Sequence, residues 1–293
     1  MRVTDRNMYD YSASRLRDAR SRYAEAQDKT VTGREVQKPS DDPVATSLAI
    51  RARAKEVRAQ ANQRQIDAGS ALVASQDAAL GDIAEVLRRV QELAVEASTD
   101  TLGASERSTI AKEVDALRQQ VLALANTEAD GHYVFAGYPD DVPPFDAAGV
   151  YSGDGSVREL EVAPGVRVAA GVSGDSTFGV SSGIDVFATL EQLQFAMETN
   201  DVAGIRAGLD AVGRVHTQVV DARADVGAKM NAFDAARSIA ERTEDQAATR
   251  QSELLAIDPV DAVMELKQAQ DALDLATQLA AQIPRPGLGT GGG

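Results

Sequence analysis

The chain lacks the residues on which several kinds of functional site depend. Among its 293 residues there is no cysteine, and the only histidines are His132 and His216. The absence of cysteine excludes disulfides, thiolate zinc sites, iron–sulfur clusters and cysteine nucleophiles. Neither histidine has a second one near it in the sequence, so each is expected to be a surface or packing residue. We therefore expect no metal site, no cofactor and no catalytic residue, and we predict that the protein is not an enzyme.

Tryptophan is also absent and only 4% of the residues are aromatic, although 43% are hydrophobic. A core must therefore be built mainly from Ala, Leu, Val and Ile, which favours closely approaching helices. No apolar run reaches the roughly 20 residues of a membrane-spanning helix. The N-terminus has no apolar segment after its first charge, so no cleavable secretory signal is expected. If the protein leaves the cytoplasm, another machine must export it.

Acidic residues outnumber basic ones by 45 to 30, which gives a net charge of −15. Such an excess repels phosphate backbones and anionic lipids, so we predict no nucleic acid and no membrane among the partners. The charge is unevenly distributed. Residues 1–60 contain thirteen basic and nine acidic residues, a net charge of +4, and residues 231–293 contain five and ten, a net charge of −5. Opposite charges favour pairing of the two ends.

Glycine and proline divide the chain into long helical stretches around one different block, residues 133–182. The stretches outside it are rich in Ala, Gln, Glu and Arg, which are strong helix formers. The block contains four prolines and a possible hairpin turn at residues 153–156, and it alternates in the manner of strands at Val157, Leu160, Val162, Val166 and Val168. The prediction is a mainly α fold, an elongated antiparallel helical bundle or coiled-coil rod with a small β-rich central insertion.

Apolar stripes at alternating three- and four-residue spacing predict how the middle helices pack. One stripe runs from Ile66 to Ala97 and is interrupted only at Gly69 and Gln76, and a second runs unbroken from Ile110 to Leu124. A short turn at residues 101–105, with Ser105 as N-cap, would fold these helices into an antiparallel hairpin.

The first of these helices is expected to begin at Pro43, with Asp42 as its N-cap. At about 1.5 Å per residue it would be on the order of 80 Å long, which a compact globule of this size cannot contain. Helical pattern resumes over residues 184–199 and from Val202 to about Leu255. Asp258 and Pro259 repeat the start signal and open a last helix.

The two chain ends carry further stripes that predict an assembly seam. The stripe of the last helix is entirely apolar, and that of the first helix is interrupted at Ser12 and Thr30. Stripes this poor in large residues leave other faces uncovered, and isolated helices gain most of their stability from packing. We therefore expect burial between neighbouring subunits at Tyr9, Leu16, Ala19, Tyr23, Ala262, Leu266, Ala269, Leu273, Ala276, Ala280 and Ile283.

Several segments resemble bacterial flagellins and their hook-associated relatives. Residues 33–43, Gly-Arg-Glu-Val-Gln-Lys-Pro-Ser-Asp-Asp-Pro, resemble the segment that joins the first two helices in that family. Residues 125–127 and 131–138 add to this match. Three further segments resemble the hook–filament junction branch, hook-associated protein three, more than filament flagellin, and they are residues 143–146, 149–154 and 223–231.

The resemblance implies an organisation in three parts. Residues 1–42 with 258–293 would form an inner coiled-coil layer of a tube, residues 43–131 with 184–257 a helical rod layer, and residues 132–183 a projecting β-rich domain. Gly33 and Pro39 would make the bend between the first two layers. The chain departs from the family after Ile283, where a Pro- and Gly-rich tail from residue 284 is expected to be flexible.

The resemblance also implies the function and partners. The protein would be a structural subunit of the bacterial flagellum that joins the hook side to the flagellin filament. It would be exported through the flagellar type III apparatus with the help of a chaperone and would be extracellular. Its partners would be like subunits in a ring or tube, another hook-associated protein on the hook side, flagellin on the filament side and the export chaperone.

Three alternatives remain open from the sequence. The chain could be a filament-forming flagellin, or a soluble coiled-coil scaffold protein that is not exported. An enzyme hosted in the insertion is the most remote. The adjacent Asp41 and Asp42 could form an acid–base pair, but at a helix start such residues more often cap the helix.

Overall fold

The computed structural model describes residues 2–181 and 183–282, with side chains from Met8 onward. In this part of the chain there are seven helices and two small antiparallel sheets, so the predicted mainly α fold with a small β-rich insertion is confirmed. The elements are α1 (Arg2–Thr32), α2 (Pro43–Ala97), α3 (Ala104–Ala125), β1 (Glu128–Ala129), β2 (His132–Tyr133), β3 (Glu159–Ala163), β4 (Val166–Ala169), α4 (Gly174–Phe178), α5 (Val186–Glu198), α6 (Val202–Leu255) and α7 (Pro259–Gln282).

Three local predictions are wrong. The N-cap of α3 is Gly103, which makes no side-chain cap, so Ser105 lies within the first turn. Residues 153–156 do not join two strands, because the β3–β4 hairpin turns after Ala163. The block that the sequence predicts as β also contains the short helix α4, which Ser173 caps by accepting a hydrogen bond from Ser176 N–H.

The chain forms two compact units. The terminal unit comprises the described residues up to Val57 and from Glu244, and the central unit comprises Arg58–Thr243. The central unit contains the whole β-rich insertion, and its helices and insertion share one hydrophobic core. The three-part division expected from the sequence, with residues 132–183 projecting outward, stays a prediction.

The scarce aromatic residues are concentrated where the insertion packs on the central helices. Phe145 is at the centre of this cluster, with ring centroids 5.0 to 5.1 Å from those of Phe178, Phe187 and Tyr151. Phe135 packs edge-on against Phe178 at 5.5 Å. Aromatic pairs at these distances contribute beyond the area they bury. The core of the insertion is therefore aromatic, unlike the Ala- and Val-rich core between the long helices.

The two interruptions of the α2 stripe mark where the insertion docks. A Cβ atom at Gly69 would lie 2.6 Å from Leu160 of β3 and 2.7 Å from Phe233 of α6, so only glycine permits this approach. Gln76 is buried, and its Nε2 donates to the carbonyl oxygens of Val134 and Val172 while its Oε1 accepts from Val172 N–H. The missing apolar side chains are thus replaced by a close packing contact and a set of hydrogen bonds.

Two further amides hold the insertion in the same way. Asn126, at the end of α3, both donates to Phe145 O and accepts from Phe145 N–H. Gln218 of α6 donates to the carbonyl oxygens of Thr177 and Ile184 and accepts from Ile184 N–H. Because buried backbone groups must be paired, these side chains substitute for strands that the insertion lacks.

Candidate assembly interface

The first and last helices pack against each other in the terminal unit. In the last turn of α1, Thr30 Oγ1 donates to Ala262 O in the first turn of α7. Next to it Lys29 Nζ lies 3.2 Å from Glu265 and 3.0 Å from Glu35. Burial alone would lower the pKa of Lys29, but the hydrogen bonds to Glu35 and Glu265 outweigh it and raise the pKa. The end of α1 thus meets the start of α7, and the two helices run antiparallel.

The predicted seam residues of α7 lie on the side that is least exposed. Ala262 is buried, and the next five positions of the stripe are half-buried, whereas the other described residues of α7 are exposed. On α1, Ala19 is buried and Leu16 and Tyr23 are half-buried, but Tyr9 is exposed. Ile283 lies outside the described residues. That these residues are buried between subunits stays a prediction.

The terminal unit has a core of very small side chains. Among its described residues, the buried apolar ones are Ala19, Ala26, Val36, Ala49, Ala52, Ala247 and Ala262. Its larger apolar side chains remain exposed, including Tyr11, Val31, Val44, Ile50 and Val260. A soluble monomer rarely leaves so many large apolar residues uncovered in one region. The terminal unit therefore presents surfaces suited to contact with other chains.

A second apolar stripe on α7 was not predicted from the sequence. It consists of Val260, Met264, Leu275 and Leu279, which are 51–67% exposed. At 100° per residue Val260, Met264 and Leu275 lie about 140–160° around α7 from the centre of the seam, and Leu279 lies about 100° from it. We call them the outer stripe. Val260 and Met264 are four residues apart, as are Leu275 and Leu279, and this spacing could have indicated a second stripe. The seam is the more regular of the two patterns on this helix.

The predicted bend at Gly33 lies in a linker, residues 33–42, that is bound to the second linker of the unit, residues 256–258. Arg34 and Ala256 form an antiparallel bridge, and Gly33 O accepts a hydrogen bond of 3.1 Å from Ile257 N–H. Glu35 N–H donates to Leu255 O at 2.8 Å. Gly33 has a φ of +66°, which favours glycine. The linkers are thus joined to each other by backbone hydrogen bonds, and Ala256 and Ile257 were missed from the sequence.

The acidic residues after Pro39 bind backbone N–H groups. Asp41 Oδ2 accepts hydrogen bonds from Lys38 N–H at 2.8 Å and Gln37 N–H at 3.1 Å, which lower the pKa of Asp41. Asp42 Oδ1 accepts from Val44 and Ala45 N–H, both at 2.8 Å, where α2 begins at Pro43. Both carboxylates are therefore engaged in holding the loop and the helix start.

The histidines and acidic side chains of the described residues do not converge on a metal site. These residues contain no group of three or more His, Cys, Asp or Glu side chains that could hold a metal ion. His132 Nδ1 lies 3.2 Å from Asp140, which also binds Arg158, and His216 is half-buried in α6. In the described part of the chain, no helix is long and apolar enough to cross a membrane.

Comparison with known proteins gives consistent results. Residues 5–140 match the family described as the bacterial flagellin N-terminal helical region. The chain is 29% identical over 238 residues to flagellar hook-associated protein 3 of Escherichia coli (strain K12), covering 80% of this chain and 73% of the relative. It is 30% identical over 164 residues to the protein of the same name from Salmonella typhimurium, covering 54% of this chain and 51% of that one.

The fold resembles the crystal structure of the flagellar junction protein FlgL from Legionella pneumophila. The TM-score is 0.59 at 16% identity, with 71% of this chain and 100% of the other covered. The resemblance expected from the sequence is confirmed, because residues 5–140 match the bacterial flagellin N-terminal helical region.

Proposed function

We propose that this protein is a structural subunit of the bacterial flagellum that acts at the junction of hook and filament. The observation that carries the proposal is the match over 80% of the chain to a relative named flagellar hook-associated protein 3. The resemblance in fold to a flagellar junction protein is consistent with it.

The terminal unit supplies the physical reason for assembly. Among the residues of this unit that the structure describes, the buried apolar ones are six alanines and Val36, and such a core gains little free energy because each alanine buries little area. Burial of its exposed Tyr, Val, Ile and Leu side chains against other copies would add about 1.5–3 kcal/mol for each large side chain fully covered. Assembly would thus complete the packing of the terminal unit.

The proposed subunit has three structural parts. Residues 1–42 and 258–293 would form the inner layer, residues 43–131 and 184–257 the rod layer, and residues 132–183 the outward domain. The linkers at residues 33–42 and 256–258, which bind each other through the Arg34–Ala256 bridge, would fix the connection of the first two layers.

The proposed partners follow from the proposed position of this protein at the junction of hook and filament. One face would bind another hook-associated protein and the other would bind flagellin, with like copies beside it. The role would be mechanical rather than enzymatic. Export through the flagellar type III apparatus with a dedicated chaperone would place the protein outside the cell.

A deletion strain tests the proposal. A strain without this chain should still make hooks but release unpolymerised flagellin into the medium, because the filament has no surface on which to start. Expression of the wild-type chain should restore filaments. Intact filaments in the deletion strain would overturn the junction assignment.

Two measurements distinguish the alternatives. Electron microscopy of assembled material separates a junction protein from a filament flagellin, which would form long filaments by itself. Secretion into the medium of a filament-minus strain, dependent on the flagellar export apparatus, excludes a scaffold protein that stays inside the cell.

A further inference from the structure

A cleft of about 320 Å³ lies in the terminal unit between the 33–42 linker, the start of α2 and the end of α6. This volume is about twice the ~150 Å³ of an apolar cavity that holds benzene, which leaves room for apolar side chains. We call it the linker cleft. It is lined by Arg34, Val36, Gln37, Lys38, Pro39, Thr46, Ala49, Ile50, Arg53, Gln251 and Leu255.

The walls of the linker cleft are incompletely covered within the chain. Ile50 is 63% exposed although its helix forms one wall. Thr46 Oγ1 is shielded from solvent and has no hydrogen-bond partner. An uncovered apolar side chain is unfavourable, and Ile50 would gain from an occupant with apolar side chains.

The rim of the linker cleft is basic. Arg53 binds Glu56 at 2.6 Å, and the nearby Asp41 is engaged with backbone N–H groups. Among the ion pairs of the described residues, none involves Arg34 or Lys38. An occupant with carboxylates beside its apolar side chains would therefore complement this rim.

The C-terminal half of the outer stripe on α7 has this chemistry. Leu275 and Leu279 are 60% and 53% exposed and lie one turn apart. Asp271 precedes Leu275 by one turn and Asp274 is adjacent to it, and both are exposed. Asp271 lies 4.0 Å from Lys267 in an exposed pair, and such a pair contributes little and can be exchanged for another partner. The whole helix carries four acidic residues and one basic residue, a net charge of −3. The C-terminal half of the outer stripe is therefore an apolar ridge with acidic residues beside it.

These residues cannot reach the linker cleft of their own chain. Leu275 lies sixteen residues after Pro259, about 24 Å along α7. The cleft lies beside the linkers at which α7 begins, because Arg34, which lines it, pairs with Ala256. Leu275 and Leu279 could therefore occupy the linker cleft only from another molecule.

We propose that the linker cleft binds Leu275 and Leu279 of α7 from a second copy of this chain, with Asp271 and Asp274 facing Arg34 and Lys38. The inference rests on the proposed function, because it specifies one contact of the assembled subunits. Cleft and stripe are different surfaces of the same chain, so a head-to-tail contact between them builds a ring or a helical array, as the proposed function requires, whereas a reciprocal contact would close a dimer.

Paired cysteines test the contact, since the chain contains no cysteine of its own. The double variant Ile50→Cys/Leu275→Cys replaces two exposed residues and is expressed in place of the wild-type chain in a strain without filament flagellin. Isolated hooks are treated with a short bis-maleimide. We expect a ladder of dimers, trimers and longer species, because each copy offers both surfaces.

The matched control is Val31→Cys/Leu275→Cys, because Val31 is 79% exposed in the same unit but does not line the linker cleft. This pair and both single variants should give no ladder. If the Ile50→Cys/Leu275→Cys chain is present in the hook fraction but gives no ladder, the inference alone is overturned. A wild-type chain absent from that fraction overturns the proposed function, and the inference with it.

Charge reversal provides a second test. Arg34→Glu/Lys38→Glu in the double-cysteine background should lower the cross-linked fraction roughly tenfold, the factor that corresponds to about 1.4 kcal/mol. Addition of Asp271→Lys/Asp274→Lys should restore it. If the charge reversal has no effect, or if the second pair of changes fails to restore cross-linking, the proposed pairing of these charges is wrong.

Discussion

Arg107 is the residue whose role was least visible in the sequence. Its side chain is buried, and its three nitrogens donate to Ala97 O at 2.8 Å, Thr99 O at 2.8 Å and Asn200 Oδ1 at 2.5 Å. The cation lies at the C-terminal end of α2, where the helix dipole favours positive charge. Arg107 thus closes the α2 terminus and joins it to the turn between α5 and α6.

We expect Arg107→Met to lower the free energy of unfolding of the central unit by about 2 kcal/mol, because it leaves the buried Ala97 O without a donor and removes two partly buried hydrogen bonds, to Thr99 O and Asn200 Oδ1. Urea unfolding followed by circular dichroism measures the change. Arg206→Met is the matched control, because the Arg206–Asp100 pair is exposed and exposed pairs contribute about 0–1 kcal/mol. Equal effects of the two changes would contradict the assigned role of Arg107.

At the scale of residues, the sequence predicted the regular apolar stripe of α2. It did not predict the contacts that replace the apolar side chains missing at the two interruptions. The stripe on α2 was identified, and Gly69 and Gln76 were recognised as interruptions. Periodicity records only that an apolar side chain is missing, so it could not show that Leu160 packs against Gly69 or that Gln76 binds the backbone of the insertion. Such partners lie far apart in the sequence and become neighbours only in the fold.

At the scale of elements, the two linkers are held together by hydrogen bonds that the sequence did not indicate. Glycine at position 33 and the Pro-Ser-Asp-Asp-Pro run predicted a bend. The structure adds the pairing of this linker with residues 256–258, which fixes the bend through backbone hydrogen bonds. The helix bounds of α2 and α6 were predictable because proline, aspartate and glycine mark helix ends, whereas the short helix α4 lies within a Gly-rich block in which no helical period can develop.

We expect Gly33→Ala to weaken this pairing. The φ of +66° costs a residue with a Cβ atom about 1–2 kcal/mol, although no atom lies within 4 Å of the added methyl group. In protein assembled into hooks, where the terminal unit is closed, the Ile257 amide, which donates to Gly33 O, should then exchange with solvent roughly fivefold to thirtyfold faster, as read by hydrogen exchange.

Gly227→Ala is the control for that change. Gly227 lies within α6, also with open space around its Cβ position, and alanine there should stabilise the helix by roughly 0.5–1 kcal/mol. Unchanged exchange at Ile257 in Gly33→Ala would mean that the linker does not depend on the left-handed backbone at position 33.

At the scale of the whole molecule, the two units differ in how they are stabilised. The central unit buries phenylalanine, leucine, isoleucine and valine in one core, whereas the described residues of the terminal unit bury mainly alanine. Sequence composition predicted this contrast in part, because the terminal stripes are rich in alanine. It could not predict the outer stripe or the linker cleft, since these depend on which faces the α1–α7 pair leaves uncovered.

This difference between the two units predicts that their backbone amides are unequally protected from hydrogen exchange in a dilute monomer. Amides of residues 10–27 in α1 should exchange with solvent close to the rate of an unfolded chain, because the Ala-rich terminal unit gains too little from burial to stay closed. Amides of α5 (Val186–Glu198), whose buried face includes Leu190, Leu193 and Met197, serve as the internal reference and should be strongly protected. Incorporation into hooks should slow exchange in α1 by orders of magnitude and change that of α5 little, because α5 is already packed within its own chain. Strong protection of α1 in the monomer, independent of protein concentration, would show that the terminal unit is complete without neighbours and would remove the physical reason for assembly.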